Sequence, residues 1–315
     1  MNNAAARHDV VVIGAGPAGL TAGMYLGRYR RDVLIVHDGN SRALRIPLTH
    51  NAPGFPDGIE GLKLIGRMTR HATDYGAEVE EAEIVAIQRV TEGFRLDATD
   101  GRAWESRAVI LASGIELNQV DLPPDVHEAA IRAGVLRYCP ICDGYEHSDG
   151  RIGVIGYDHD GAAEALFLRN YSADITLMRL GHPELSDAQL ADLAAADIVV
   201  ETGEVGALEP EKDCMRVRLT RPESIISFDV VYPALGARAR TELAVQLGVR
   251  LNAQGCVPSY ALEDSGIPGF FAAGDVIDGL DQISVAMGHG ALAATRAHNW
   301  LRESDKTSTA RGPAL

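Results

Sequence analysis

The run RYCPICDGYE sets Cys139 and Cys142 at CxxC spacing, with Asp143 directly after the second thiol. If a helix starts there the two thiols fall one turn apart, and a helix start lowers the pKa of one of them, so that a thiolate nucleophile is available. Such a pair closes to a small disulfide ring and reopens, exchanging two electrons each time. The other chemistry open to CxxC is half of a zinc knuckle. A closed zinc site needs four ligands. No second CxxC and no nearby His-x-x-x-His supplies them, and His147 alone does not complete the set. Redox chemistry is therefore the expectation, with no metal. Cys214 and Cys256 stand alone and read as ordinary small residues.

A two-electron dithiol needs elements that hold a second two-electron carrier beside it, and the start of the chain supplies a candidate. HDVVVIGAGPAGLTAGMYLGR reads as a β-branched strand (Val10 to Ile13), then Gly14, Gly16 and Gly19, then a helix; DVLIV at 32–36 is a second strand. Between a strand and a helix, this GxGxxG is a dinucleotide fingerprint. Gly14 makes the tight turn, Gly16 lets a pyrophosphate approach, and Gly19 packs helix on strand. The carboxylate that usually closes the second strand, to hold ribose hydroxyls, falls at His37; Asp38 takes that task from one position later, or His37 stands there instead. EGFRLDATDGRAWESRAVILASG predicts a hairpin turning at Asp100-Gly101, a buried strand over Ala108–Leu111, and Ser113-Gly114 behind it.

The middle of the chain repeats this order. IGVIG at 152–156, DITLM at 174–178, antiparallel strands around CMRVRL at 214–219 and the buried DVVYPALG at 229–236 give strand, glycine turn, helix, strand, excursion, strand and glycine again. The expected class is α/β with two Rossmann-like domains. FFAAGDV then forms an apolar strand ending at Asp275, and a small-residue helix follows from about Gln282. At a strand's carboxyl end Asp275 binds a sugar-like hydroxyl of a cofactor, or it caps a helix.

Composition narrows the class. A hydrophobic fraction of 46% over 315 residues is globular, and 33 glycines with 5% aromatics suit a turn-rich α/β protein. A net charge of −15 argues against nucleic acid or anionic membrane as the main partner. No apolar run is long enough to cross a bilayer, and MNNAAARHD lacks the apolar core of a secretory signal, so a cytoplasmic location is the expectation.

Along nearly its whole length the chain resembles the low-molecular-weight thioredoxin reductase family. GAGPAG at 14–19, THNAPGFPDGI at 49–59, CPICDG at 139–144 and GFFAAGDV followed by DQISVAMGHGALAA occur in family order. The resemblance implies an FAD/NAD(P)-binding fold: a discontinuous FAD domain over 1–116 and 244–315, an inserted NAD(P)-type domain over 117–243 carrying the CxxC, and a homodimer. By the same resemblance Gly14, Gly16 and Gly19 would hold the FAD pyrophosphate and Asp275 the ribityl chain. Asn51 and Gln282 would lie against the flavin, and Ser113-Gly114 would pass the cofactor. Cys142 would exchange electrons with the flavin, Cys139 would meet the external disulfide, and Asp143 would exchange protons as thiol and thiolate interconvert.

The inserted domain departs from the family. There the turn reads Gly-x-Gly-x-x-Ala; here Gly156 is kept, but Asp158 stands at the second glycine and Asp160 follows. A β-carbon blocks the pyrophosphate and a carboxylate repels it, by roughly 4 kcal/mol for unit charges about 4 Å apart at an effective dielectric near 20. That is on the order of a thousandfold in affinity. The family's His-Arg-Arg cluster for the NADPH 2′-phosphate is replaced by Met178, Arg179, Leu180 and Gly181. The socket therefore reads as inherited scaffold. The chain is similar to relatives that take electrons from ferredoxin, and to the gliotoxin- and holomycin-type dithiol oxidases. The expected function is FAD-dependent thiol–disulfide exchange with a thioredoxin-like protein or a small dithiol or disulfide, without NADPH. An ordinary NADPH-dependent reductase with a divergent nucleotide site is the alternative, and a non-catalytic FAD-bound sensing or partner-binding module is the alternative of another class. His289, in the MGHG turn, is either a base for a thiol or an ordinary helix residue.

Overall fold

Val10, Val11 and Val12 are fully buried, which a strand achieves when both of its faces are covered. They lie in β1 (Ala6–Ile13) of a computed structural model that describes residues 6–156, 159–180, 185–220, 223–259 and 266–310. Asp158 and Gly181 fall outside the described residues. β1 feeds α1 (Pro17–Arg28) and returns as β2 (Val33–His37); α2 (Gly61–Thr73) leads to β3 (Glu78–Glu81). Then come β4 (Ile84–Val90), β5 (Gly93–Ala98) and β6 (Ala103–Leu111). The strand order is β3-β2-β1-β6-β5-β4, parallel from β3 to β6, with the β4–β5 hairpin added antiparallel. Asp100-Gly101 sits in the turn between β5 and β6, where it was expected.

β7 (Ile115–Leu117) leads out of this sheet through α3 (Pro124–Ala133) and the single turn α4 (Pro140–Asp143). The second wound unit is β8 (Ile152–Gly156), α5 (His159–Leu168), β9 (Ile175–Arg179), α6 (Asp187–Ala195) and β10 (Val199–Glu201). The antiparallel excursion is a three-stranded sheet of β11 (Val205–Pro210), β12 (Met215–Thr220) and β13 (Glu223–Phe228). Met215, Val217 and Leu219 alternate inward along β12, the period of a strand with one face on a core. β14 (Val230–Ala234) closes the parallel sheet β10-β9-β8-β14. β15 (Ala237–Ala239) then pairs antiparallel with β7, so the outgoing and returning chains form one ribbon. α7 (Glu242–Gln246), β16 (Phe270–Ala272) beside the last residues of β6, and α8 (Ile283–Ala310) complete the chain. This is an α/β fold with two nucleotide-binding domains. Among the described residues no helix is long and apolar enough to cross a membrane.

β2 and β9 each run one residue later than their sequence patterns suggest, because pairing continues through His37↔Glu81 and Gly156↔Arg179. Asp38 is therefore the first residue beyond β2.

The first glycine turn is fixed by contact. Gly14 has φ +112°, and a Cβ there would lie 2.2 Å from the carbonyl oxygen of Ala112. A Cβ on Gly19 would lie 1.9 Å from the oxygen of Gly14, so α1 rests directly on the turn. Gly19→Ala should destabilise the chain by about 1–3 kcal/mol through overpacking. Thermal unfolding of flavin-free protein checks this: a lowered Tm is expected, and an unchanged Tm would contradict the close approach.

Candidate redox site

One cavity joins the glycine turn to the two cysteines. Gly14, Gly16 and Pro17, Asp275 and Gln282, and Cys139, Cys142 and Asp143 all line it. α1 begins at Gly16 with no side-chain cap, leaving backbone N–H groups and the positive end of a helix at the cavity. A Cβ on Gly16 would meet only Ser41 Oγ, 3.3 Å away, so the approach to that helix end stays open. Arg42 adds a cation: its Nη2 lies 3.8 Å from Asp275 Oδ2 and donates to the carbonyl of Asp281 at 3.3 Å. An uncapped helix start, an absent β-carbon and an arginine suit a pyrophosphate, and a carboxylate farther along suits a polyol. These residues fit a flavin dinucleotide.

Asp275 is mostly buried, and burial raises its pKa against the opposing charge of Arg42. The helix-cap role fails, because α8 starts only at Ile283. Asp281 is pushed up to about 6 by burial and by Asp275 beside it. Asp38 borders the cavity, but its Oδ1 accepts from the Asn40 N–H (2.9 Å) and its Oδ2 pairs with Arg240 Nη1 (3.0 Å). Ser113 and Gly114 also hold Arg240: Ser113 Oγ donates to its carbonyl at 2.6 Å, and its N–H donates to Gly114 O at 3.0 Å. His289 does not line the cavity. Its Nδ1 is buried inside the protein with no hydrogen-bond partner among the described residues, and the ring favours the Asp275 carboxylate.

Cys139 and Cys142 form a disulfide, with Cα atoms 5.3 Å apart. The helix that follows Cys139 is one turn long and passes into a 3-10 turn at Gly144–His147. Gln282 Nε2 lies 3.6 Å from both sulfurs. Asn51 Nδ2 donates to Gln282 Oε1 at 2.9 Å and to Ile141 O at 3.4 Å, while Thr49 Oγ1 donates to Asn51 Oδ1 at 2.8 Å. Asn51 and Gln282, far apart in sequence, therefore meet at the disulfide. Both cysteines are half-buried, so exposure does not distinguish their roles.

Asp143 is pushed up to about 6 by burial, with Arg137 opposing. Tyr232 donates to its Oδ1 at 2.8 Å, and Arg137 Nε lies 3.0 Å from its Oδ2 with the N–H not aimed at the oxygen. Neither Tyr232 nor Arg137 carries a signal in the sequence. Tyr138, next to Cys139, is held as well. It accepts from Val120 N–H (3.3 Å) and from His127 Nε2 (2.8 Å), because Arg45 Nη2, a donor only, occupies His127 Nδ1 at 3.3 Å. Burial pushes Tyr138 up to about 12, so it stays a phenol.

At the second glycine turn Asp160 is exposed at the start of α5, and burial, together with the Asp160 charge, pushes Glu164 up to about 7. Arg179 ends β9 with its Nε buried and without a hydrogen-bond partner among the described residues. Denatured without reductant, the protein should titrate two thiols, Cys214 and Cys256, and after reduction four. Four thiols before reduction would contradict the disulfide.

The sequence profile of the pyridine nucleotide-disulphide oxidoreductase family matches residues 8–290. The chain is 30% identical over 317 aligned positions to the thioredoxin reductase of Mycolicibacterium smegmatis, covering 97% of this chain and 100% of the relative. It is 26% identical to that of Bacillus subtilis, with 95% and 96% covered. The crystal structure of HlmI superposes with a TM-score of 0.88 at 30% identity, covering 99% and 97% of the two chains. The thioredoxin reductase of Streptococcus pyogenes shares the fold at TM-score 0.86 and 23% identity. With its glycine turn and its disulfide on one cavity, the chain belongs to the pyridine nucleotide-disulphide oxidoreductase family, as an FAD flavoprotein disulfide oxidoreductase of the thioredoxin reductase type.

Proposed function

We propose that this flavoprotein passes two electrons between its flavin and an external dithiol or disulfide through Cys139 and Cys142, and draws none from NADPH. The observation that carries the first half is the Cys139–Cys142 disulfide opening onto the cavity of Gly14, Gly16 and Asp275, with Gln282 against both sulfurs. Bound FAD supplies a carrier for two electrons at once. In the proposed sequence a substrate thiolate attacks Cys139 Sγ, the Cys139–Cys142 bond breaks, and Cys142 leaves with the bonding pair. Asp143 supplies or removes the proton as that thiolate and thiol interconvert. The second substrate thiol then attacks the mixed disulfide, freeing Cys139 and releasing the oxidised substrate. The reverse order reduces an external disulfide. Gly14 and Gly16 would cradle the pyrophosphate, whereas Gly19, expected to share that role, lies off the cavity and seats α1 on the turn; Asp275 would hold the ribityl chain and Asn51 and Gln282 the flavin, Ser113 and Gly114 would pass it, and Asp38, held by Arg240, would stand at the ribose.

Asp158, Asp160 and the lone Arg179 support the second half, since a phosphate there meets carboxylates and lacks a basic clamp. The names of the relatives favour a second reading, an NADPH-dependent reductase with a thioredoxin-like partner. A ferredoxin-type donor, a homodimer and a cytoplasmic location belong to the proposal.

Cys139→Ser and Cys142→Ser should each abolish dithiol–disulfide turnover while flavin stays bound. Only Cys139→Ser should leave a thiolate that gives a long-wavelength charge-transfer band; a band in Cys142→Ser instead would reverse the two roles. Asp158→Gly alone should leave NADPH binding weak in a titration, because the 2′-phosphate still meets a single arginine. Tight binding after that one change would overturn the account of the socket.

A further inference from the structure

Asp143 is held from two sides within the inserted domain. Tyr232 lies on β14 among Val230, Val231 and Ala234, fully buried, and its hydroxyl donates to Asp143 Oδ1 at 2.8 Å. Phenylalanine would fill the same space, so packing does not require that hydroxyl. Arg137 stands in the segment between α3 and the disulfide, its Nε 3.0 Å from Asp143 Oδ2. Its own place is fixed twice: its N–H donates to Val231 O at 3.0 Å, one residue before Tyr232, and its Nη1 donates to Ile131 O at 3.2 Å. The strand that closes the parallel sheet of the inserted domain thus reaches, through two side chains, the residue that follows Cys142.

We propose that Tyr232 and Arg137 are positioning residues for Asp143: they fix its carboxylate beside Cys142 and set the pH at which it exchanges a proton with the dithiol. The inference rests on the reading of Asp143 as the proton carrier. Four influences act on that carboxylate. Burial, the largest, pushes it up, Arg137 and the Tyr232 hydroxyl pull it down, Glu146 pushes it up, and the balance stands at about 6. His147, edge-on to Tyr232 at 6.1 Å, is kept towards its neutral form by burial and by Arg137, with Glu146 and Asp229 opposing. Tyr232 is itself held far above the usual phenol range by burial and by Asp143, so it remains a donor. Loss of either Tyr232 Oη or the Arg137 charge removes an influence that favours the carboxylate, so the proton is held to higher pH.

The test uses the full FAD-loaded chain, reduced anaerobically by dithiothreitol across the weakly acidic to neutral range. The reaction is followed by flavin bleaching and, separately, by acid-quenched alkylation of the freed thiols. The parent should show an inflection at about 6. It should move up by on the order of one pH unit in Tyr232→Phe and in Arg137→Gln. Arg137→Lys, which keeps the charge, should recover part of that shift, and Asp143→Asn should lack the inflection. A merely structural role would lower the rate at every pH and leave the inflection in place. If Asp143→Asn loses the inflection while Tyr232→Phe and Arg137→Gln keep it at the parent value, the positioning role is overturned and Asp143 keeps its own. If Asp143→Asn retains it, the reading of Asp143 falls and this inference with it. Should Arg137→Gln fail to fold, Tyr232→Phe decides alone.

Discussion

The contact of Gln282 with both sulfurs is the constraint on which the rest of the structure depends. The cysteines sit on a segment that ends in the second sheet, whereas Gln282 and the glycine turn belong to the first, so electrons pass only if the two are held together. The β7–β15 ribbon ties the outgoing and returning chains side by side and limits how far they part. Asn51 extends the contact by bonding to both Gln282 and the carbonyl of Ile141, between the cysteines. An ion pair between Arg45 and Glu128, and the contact of His50 Nδ1 with Glu146 Oε1 at 2.9 Å, span the same gap. Their side chains are more than a third exposed, and such pairs contribute about 0–1 kcal/mol. They orient the two parts more than they bind them.

Burial dominates the acid–base character of the cavity. Asp143 at the disulfide and Asp281 beside Gln282 are both pushed up to about 6, one from each side of the contact. The cause is the same, a carboxylate taken from water, but the surroundings differ. Asp143 has a hydroxyl and a guanidinium against it, whereas Asp281 has Asp275 as neighbour and Arg42 as relief. Carboxylates poised near neutrality at a thiol site suit proton exchange better than fixed anions. Asp38, at the edge of the cavity, is tied by the Asn40 N–H and by Arg240.

Features set by local geometry were legible in the sequence. Gly19 answers to a β-carbon clash with the nearby Gly14 carbonyl, Gly14 turns with a positive φ, and CxxC reads as a dithiol because its two thiols close a short ring. The hairpin at Asp100-Gly101 and the repeated strand–turn–helix order are likewise written in neighbouring residues. Asn51 and Gln282, 231 positions apart, were placed only by family resemblance. Tyr232 and Asp143, 89 positions apart, had no such guide, because their meeting depends on β14 pairing beside β8. The Arg240 partner of Asp38, 202 positions away, was hidden likewise, because it is placed by the pairing of β15 with β7. The short length of α4 also escaped the pattern, since four residues carry too little periodicity to define an end.

Under the proposed function electrons enter and leave this flavoprotein through Cys139 and Cys142 and not through a nicotinamide. Anaerobic stopped-flow mixing of the FAD-loaded chain, followed at the flavin band, tests it most directly with dithiothreitol in one syringe and NADPH in the other experiment. The account predicts bleaching by the dithiol and no bleaching by millimolar NADPH on a catalytic timescale. Rapid bleaching by micromolar NADPH would contradict it and make the chain an ordinary NADPH-dependent reductase.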